Sequence, residues 1–105
     1  MLPRGLLLIL LSLSLMACAT TSLRQTSQLE QGKREFETGY YQRALHRLLP
    51  LACDGNAEAQ YAIGYLYYYG YGAAQDTETG YFWIKRSADQ HYQPAIQALT
   101  TMNAH

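Results

Sequence analysis

The fold is decided by residues 59–72, which read AQYAIGYLYYYGYG. One row at four-residue spacing, which we expect to face inward, holds Ala59, Ile63 and Tyr67. A second row, also at helical spacing, holds Tyr61, Tyr65 and Tyr68. The glycines at 70 and 72 then mark a loop. The stretch therefore predicts a helix over 57–69 whose tyrosines occupy a face separate from its core face.

Helical spacing also dominates the chain on both sides of this stretch, and no strand pattern competes with it. Further helices are predicted over 29–37, 41–53, 77–90 and 93–102. Asp76 is a suitable N-cap, and Pro94 suits the first turn of the last helix. Pro50 removes a backbone hydrogen bond, so we expect a kink or an early end of the helix there.

The helices repeat along the chain. A shift of 36 residues places Leu48 on Ile84, Ala52 on Ala88, Ala59 on Ala95, Ala62 on Ala98 and Ile63 on Leu99. Gly32 and Gly64 hold matching places in the first helix of each pair, and the turn of the second pair is four residues longer. Stacked helix pairs of this kind would bury one continuous core.

The segments Ala59, GYLYYYGYG (64–72), Asp76 and WIKRSA (83–88) together resemble a Sel1-like repeat. The related tetratricopeptide repeat is similar at Gly32, Phe36, Gly39, Tyr41, Ala44 and Leu48. The resemblance covers about 29–99 and implies an all-α fold, a short right-handed α-solenoid of antiparallel helix pairs with about five helices. Its units would be about 29–54 and 57–90, with a half unit at 93–102. It also implies that Trp83 is buried between helices.

The chain departs from the Sel1-like pattern at Ile63, Gly80, Ser87 and His91. These departures leave the register unchanged. Gly80 is expected to weaken its helix by about 1 kcal/mol relative to Ala.

Repeats of this kind are binding scaffolds, and the resemblance implies that the first helix of each pair lines a concave face. The peptide-contacting positions of tetratricopeptide domains, carried over from Gly64, fall on Glu58, Tyr61, Tyr65, Tyr68 and Tyr69. The chain has ten Tyr against two Phe and one Trp, and Tyr is enriched in interaction hot spots. The same rings could instead pack on neighbouring helices, and the sequence leaves both roles open.

The N-terminus has the pattern of an export signal. Arg4 precedes an apolar run from Leu6 to Met16, too short for the roughly 20 residues that span a bilayer. Leu15 to Cys18 resembles a bacterial lipobox, which implies cleavage before Cys18 and its acylation. We expect a signal peptide over 1–17, a lipid-anchored flexible tether over 18–28 and a domain over 29–102. By the lipobox resemblance, Ala19 after Cys18 favours an outer-membrane location facing the periplasm.

Composition argues against several function classes. Eight basic and eight acidic residues give a formal net charge of zero, so no basic excess attracts nucleic acid. His46, His91 and His105 lack metal-ligand companions at fixed spacing, and no nucleophile arrangement is present. We therefore expect no enzyme, no metal and no cofactor. Cys53 is expected to be a half-buried small residue, or else an intermolecular partner.

Two functions fit these features. The first is a membrane-anchored periplasmic adaptor that binds an envelope protein or peptide on the tyrosine face. The alternative is a lipoprotein that binds glycan or cell wall with the same rings. Because arrays usually need about three repeats for stability, a second copy or another protein could also cap the open end.

Overall fold

The computed structural model describes residues 22–103, which are all-α: five helices and no strand within this range. Helix α1 includes residues 22–37 of this range, and the rest follow as α2 (Tyr41–Cys53), α3 (Ala57–Tyr69), α4 (Thr77–Asp89) and α5 (Gln93–Asn103). Helices adjacent in sequence pack together. None of the helices described is both long and apolar enough to span a bilayer. The predicted signal peptide and the lipobox at Cys18 lie outside the described residues.

Side-chain caps begin α3 and α4 where the sequence places helix starts. The Asn56 side chain accepts a hydrogen bond from the backbone N–H of Ala59 at 2.9 Å. Asp76 accepts one from the backbone N–H of Thr79 at 3.0 Å and another from the Thr79 hydroxyl at 2.6 Å. Each cap satisfies a backbone donor that has no partner within the helix. The prediction of Asp76 as an N-cap is confirmed.

The loop after α3 is held against the start of α2. Gly70 ends α3 in a left-handed conformation (φ 73°), and the next N–H, of Tyr71, donates to the Leu66 carbonyl at 2.8 Å. A Cβ on Gly72 would lie 2.8 Å from the Tyr41 carbonyl oxygen, so only glycine allows this approach. The longer second turn is therefore an ordered part of the packing.

Two expected boundaries differ in the structure. Residues 22–28, expected to be part of the flexible tether, belong to α1, which is already helical at Ser22. Exposed Ser, Thr and Gln side chains are compatible with a helix surface, and the Thr26 hydroxyl donates to the Ser22 carbonyl at 3.1 Å. Of the two outcomes expected at Pro50, the early end is wrong, because α2 continues to Cys53, the bound that the helical spacing predicts. The proline lies in the last turn, where its carbonyl still accepts from the N–H of Asp54 at 3.0 Å.

Two expected burials are also corrected. Cys53 is exposed at the last position of α2 and is not half-buried. Trp83 is only partly buried: it packs on the core from one side, and its ring lies 5.2 Å from that of Phe82. The guanidinium of Arg86 lies 5.4 Å from the centre of the indole ring, a cation–π distance. Trp83 therefore covers one side of the core and leaves part of its own surface exposed to solvent.

The core lies mainly between α2 and α3 and contains many small residues. Its buried members are Ala44, Leu48, Leu51, Ala52, Ala59, Ala62, Ile63 and Leu66. Glycines extend this close packing to the neighbouring helices. A Cβ on Gly32 would collide with the Leu48 side chain, and one on Gly64 would lie 2.6 Å from Ile84 Cγ1. In both places a glycine of one helix receives an aliphatic side chain of the helix that follows.

Gly80 has a packing reason that outweighs its poor helix propensity. A Cβ at this position would lie 2.7 Å from the Gly64 carbonyl oxygen and 2.7 Å from Tyr68 Cα. Helices α3 and α4 therefore touch at backbone distance, which an alanine would prevent. The expectation that Gly80 merely weakens α4 omitted this contact.

A buried polar network joins the opposite end of the same helices. The Ser87 hydroxyl, fully buried, donates to the Ala57 carbonyl at 2.7 Å. Gln60, also buried, donates to the Ala52 carbonyl at 3.1 Å and accepts from the Gln90 amide at 2.9 Å. Each of these buried groups has a partner, as a stable interior requires. Ser87, a departure from the Sel1-like pattern, thus links α4 to the start of α3.

His91, another departure from the Sel1-like pattern, adopts an unfavourable backbone conformation. His91 adopts φ 65°, the single positive value found for a non-glycine residue among those described. The left-handed region costs an L-residue with a Cβ about 1–2 kcal/mol. The turn nevertheless connects α4 to α5, because the N–H of His91 donates to the Ala88 carbonyl at 2.9 Å.

Candidate functional site

A groove of about 480 Å³ runs between α3 and α5. Its lining consists of Tyr61, Tyr65, Tyr68, Tyr69, Ile84, Pro94, Gln97, Ala98, Thr101 and Met102. Four of the five residues predicted as a binding face are therefore brought together here. We call this surface the tyrosine groove.

Helical periodicity on two sides creates the tyrosine groove. On α3, steps of three and four residues keep Tyr61, Tyr65 and Tyr68 on one face. On α5, the residues at 94, 97, 98, 101 and 102 follow the same spacing. Ile84 of α4, only 1% exposed, contributes to the lining from between them.

Tyr65 is the centre of the ring contacts. Its ring centroid lies 4.7 Å from that of Tyr69, 5.5 Å from that of Phe36 and 6.3 Å from that of Tyr61. Tyr68 is more peripheral, with an edge contact to Tyr69 at 5.1 Å. Such aromatic pairs stabilise beyond the area that they bury. Tyr65 is therefore a packing residue as well as a groove residue.

The loop after α3 adds one ring that sequence reasoning missed, Tyr71. Tyr71 stacks on Tyr41 with centroids 5.1 Å apart and also lies 6.0 Å from Tyr69. Tyr69 and Tyr71 remain 47% and 41% exposed. A continuous aromatic surface therefore leads from the start of α2 into the tyrosine groove.

Glu58 lies apart from the other four predicted residues. Its carboxylate forms an ion pair with the Lys33 ammonium at 3.0 Å, and their hydrogen bond raises the pKa of Lys33. It lines a separate cleft of about 170 Å³ together with Phe36, Tyr61 and Tyr92. Its carboxylate joins α1 to the first turn of α3, where a negative charge is favourable.

The tyrosine groove is uncharged. None of its lining residues is Asp, Glu, Lys, Arg or His. Burial raises the pKa of Tyr61 and of Tyr65, so both hydroxyls stay protonated at neutral pH. Among the side-chain hydrogen bonds found within residues 22–103, none involves a tyrosine hydroxyl. The tyrosine groove thus offers apolar ring faces together with hydroxyls available to a ligand.

The described part of the chain contains no cluster of three or more His, Cys, Asp or Glu side chains arranged to hold a metal ion. Comparison with protein-family models, curated proteins and solved structures finds no match to this chain.

The α5 side of the tyrosine groove was missed as part of the binding face. Its polar members, Gln97 and Thr101, share a helical face with Pro94, and that spacing could have indicated a second wall. What the spacing cannot give is the direction in which this face points. That depends on the turn at His91, where the backbone conformation is unusual for the residue type.

The ring contacts predict how two substitutions in the tyrosine groove will differ. Tyr65→Ala should lower the free energy of unfolding by about 2–4 kcal/mol, because it removes the ring at the centre of the cluster. Tyr68→Ala should cost less than half as much, since its ring has fewer aromatic neighbours. Urea unfolding of the two variants beside the parent protein measures both values. An equal or larger loss for Tyr68→Ala would contradict this division of roles.

Proposed function

We propose that this protein is a lipid-anchored periplasmic adaptor, without catalytic activity, that binds a protein or peptide in the tyrosine groove. The observation that carries the proposal is the convergence of four tyrosines from α3 with one face of α5 around one open groove. Tyr combines a large contact area with few rotatable bonds, so it loses little conformational freedom on binding.

We propose a short right-handed solenoid of Sel1-like or tetratricopeptide-like pairs as the scaffold, and the packing supports its pairing of helices. Gly32 faces Leu48 in one pair and Gly64 faces Ile84 in the next. Leu48 and Ile84 are 36 residues apart, the same shift that aligns the two segments in sequence. The first helices of successive pairs also contact each other, through Phe36 and Tyr65 and through Lys33 and Glu58. Such contacts suit a shared inner layer that carries the tyrosine groove.

The anchor is proposed from the lipobox at Leu15 to Cys18. The described domain, which follows Cys18 in the chain, would then be attached to the membrane through its N-terminal end.

Cys18→Ser tests the anchor. The variant should lose incorporation of a fatty-acid analogue during growth, because the thiol is the proposed site of acylation. It should also accumulate with its signal peptide uncleaved or appear in the soluble fraction. Cys53→Ser serves as the matched control and should label like the parent protein. Equal labelling of the Cys18→Ser variant would rule the anchor out.

Photocrosslinking tests the adaptor function. A photoreactive amino acid at Gln97, an exposed groove residue, should capture a protein partner in living cells. The same amino acid at Lys85, exposed on α4 outside the tyrosine groove, should capture much less. Tyr68→Ala should reduce capture at Gln97 at least tenfold, the scale of a hot spot.

Two results would contradict the adaptor function. Equal capture at Gln97 and Lys85 would mean that the tyrosine groove is not the interface. Retention on peptidoglycan or polysaccharide that is lost in Tyr68→Ala, with no protein captured, would favour the alternative glycan-binding function.

A further inference from the structure

The charges of this nearly neutral domain are unevenly distributed. One side of α1 and the outer side of α2 carry the residues that we call the basic face: Arg24, Arg43, His46 and Arg47. The carboxylate of Glu35 is paired with Arg47 at this face, and α2 itself contains no Asp or Glu. The rest of residues 22–103 holds four Lys or Arg against seven Asp or Glu. A positive face therefore lies on a domain that is otherwise negative.

Arg47 joins the two helices at the centre of the basic face. Its guanidinium donates to both carboxylate oxygens of Glu35 at 3.0 Å and to the amide oxygen of Gln28 at 2.8 Å. Arg24 lies one helical turn before Gln28, on the same side of α1. An open cleft of about 360 Å³ on this face is lined by Gln28, Arg43, His46, Arg47 and Pro50.

Two cations of the basic face remain available to a ligand. Within residues 22–103, neither Arg24 nor Arg43 takes part in any of the ion pairs found. The Arg43 guanidinium instead lies 5.4 Å from the ring centre of Tyr40, which is 58% exposed. Asp54, in the turn after α2, lines a different cleft with Ser22 and Gln25. An exposed arginine beside an exposed tyrosine suits a membrane–water interface, where both side chains are common.

We infer that the basic face rests on the anionic phospholipid headgroups of the membrane that carries the lipid anchor. Guanidinium groups bind phosphate through paired, charge-assisted hydrogen bonds. Arg24 is six residues after Cys18, so the proposed anchor attaches the chain to the membrane next to the basic face. Basic residues in this position are attracted to the negative surface of a bilayer. The inference rests on the proposed function, because it requires the anchor.

The anchor favours a bilayer over a free anionic partner. Covalent attachment keeps the headgroups at a high effective concentration around the domain, so a few weak contacts are enough to hold it. A soluble acidic protein would have to supply the same affinity without this advantage.

Contact through the basic face would leave the tyrosine groove accessible. The cleft of the basic face is formed by α1 and α2, whereas the groove is formed by α3, α4 and α5, and the two share no residue. Headgroup binding would therefore orient the domain on the membrane without occupying the surface that binds the proposed partner.

A fluorophore on Cys53 tests the inference. Cys53 is exposed and follows His46 and Pro50 along the outer side of α2, by steps of four and three residues. The acylated, labelled protein is placed in phosphatidylcholine vesicles with or without phosphatidylglycerol, each containing a lipid with a nitroxide on its headgroup. Phosphatidylglycerol should raise the ratio of quenched to unquenched fluorophore about fivefold. In about 1 M sodium chloride, where the Debye length is about 3 Å, this difference should disappear.

A pair of charge reversals separates the basic face from charge in general. Arg43→Glu should remove most of the phosphatidylglycerol-dependent quenching, because it replaces an attraction by a repulsion while changing only an exposed side chain. Lys85→Glu makes the same change of charge at an exposed position of α4 and should alter the quenching less than about twofold. Circular dichroism of both variants checks that the helices are intact.

Three results would overturn the inference. The first is equal quenching with and without phosphatidylglycerol, and the second is an equal effect of Arg43→Glu and Lys85→Glu. The third is a change of Cys53 fluorescence in detergent on adding polyglutamate, which would indicate an acidic protein as the ligand. If the protein stays on the vesicles but shows no lipid dependence, the anchor stands and the inference fails. If it does not stay on the vesicles at all, both fail.

Discussion

The contact between Gly64 and Gly80 is the constraint on which the rest of the structure depends. Because neither residue has a side chain, the backbones of α3 and α4 meet directly, and Ile84 fits against Gly64. Ile84 also lines the tyrosine groove beside the α3 tyrosines. The same close approach therefore determines how α3 and α4 pack and where Ile84 lies in the lining of the tyrosine groove. A side chain at either glycine would separate the helices and displace Ile84.

The aromatic residues have two overlapping roles, packing between helices and lining the tyrosine groove. The sequence alone did not decide between these roles. Tyr41 and Tyr71 stack on each other beside Phe36 and hold the long loop on the start of α2. Tyr68 has an aromatic contact only with Tyr69 among the described residues, and both rings line the tyrosine groove with part of their surface in solvent. Tyr65 belongs to both sets. A cluster of this kind gives the groove a rigid wall, which lowers the ordering cost of binding.

Local chemistry explains which elements were predictable. The bounds of α3 and the start of α4 were predicted because Asn56, Gly70 and Asp76 act through their own backbone neighbours. The early end considered at Pro50 does not occur: the proline removes one backbone donor from α2, and the helix still continues to Cys53. The helical conformation of residues 22–28 was missed, because a polar segment without Gly or Pro suits an exposed helix as well as a tether.

Tertiary packing explains the remaining differences. Helix propensity alone made Gly80 look unfavourable. Its contribution to the close packing of α3 and α4 becomes visible only when Gly64 and Tyr68 are placed beside it. Trp83 was expected inside, yet it packs on the core from one side, beside Phe82 and Arg86. For the candidate site, the sequence could predict the α3 stripe from spacing, apart from Glu58, which lies outside the groove. The opposing wall from α5 depends on how the chain turns after α4.

The free energy of unfolding of Gly80→Ala tests the central contact most directly, because two physical effects predict opposite signs. Helix propensity alone predicts stabilisation by about 1 kcal/mol. The close approach of α3 and α4 predicts destabilisation by about 1–3 kcal/mol, because the new methyl group would lie 2.7 Å from the Gly64 carbonyl oxygen. Urea unfolding beside Lys85→Ala, an exposed substitution on the same helix, measures the sign. A less stable Gly80→Ala variant is the result we expect, and a more stable one would contradict this account.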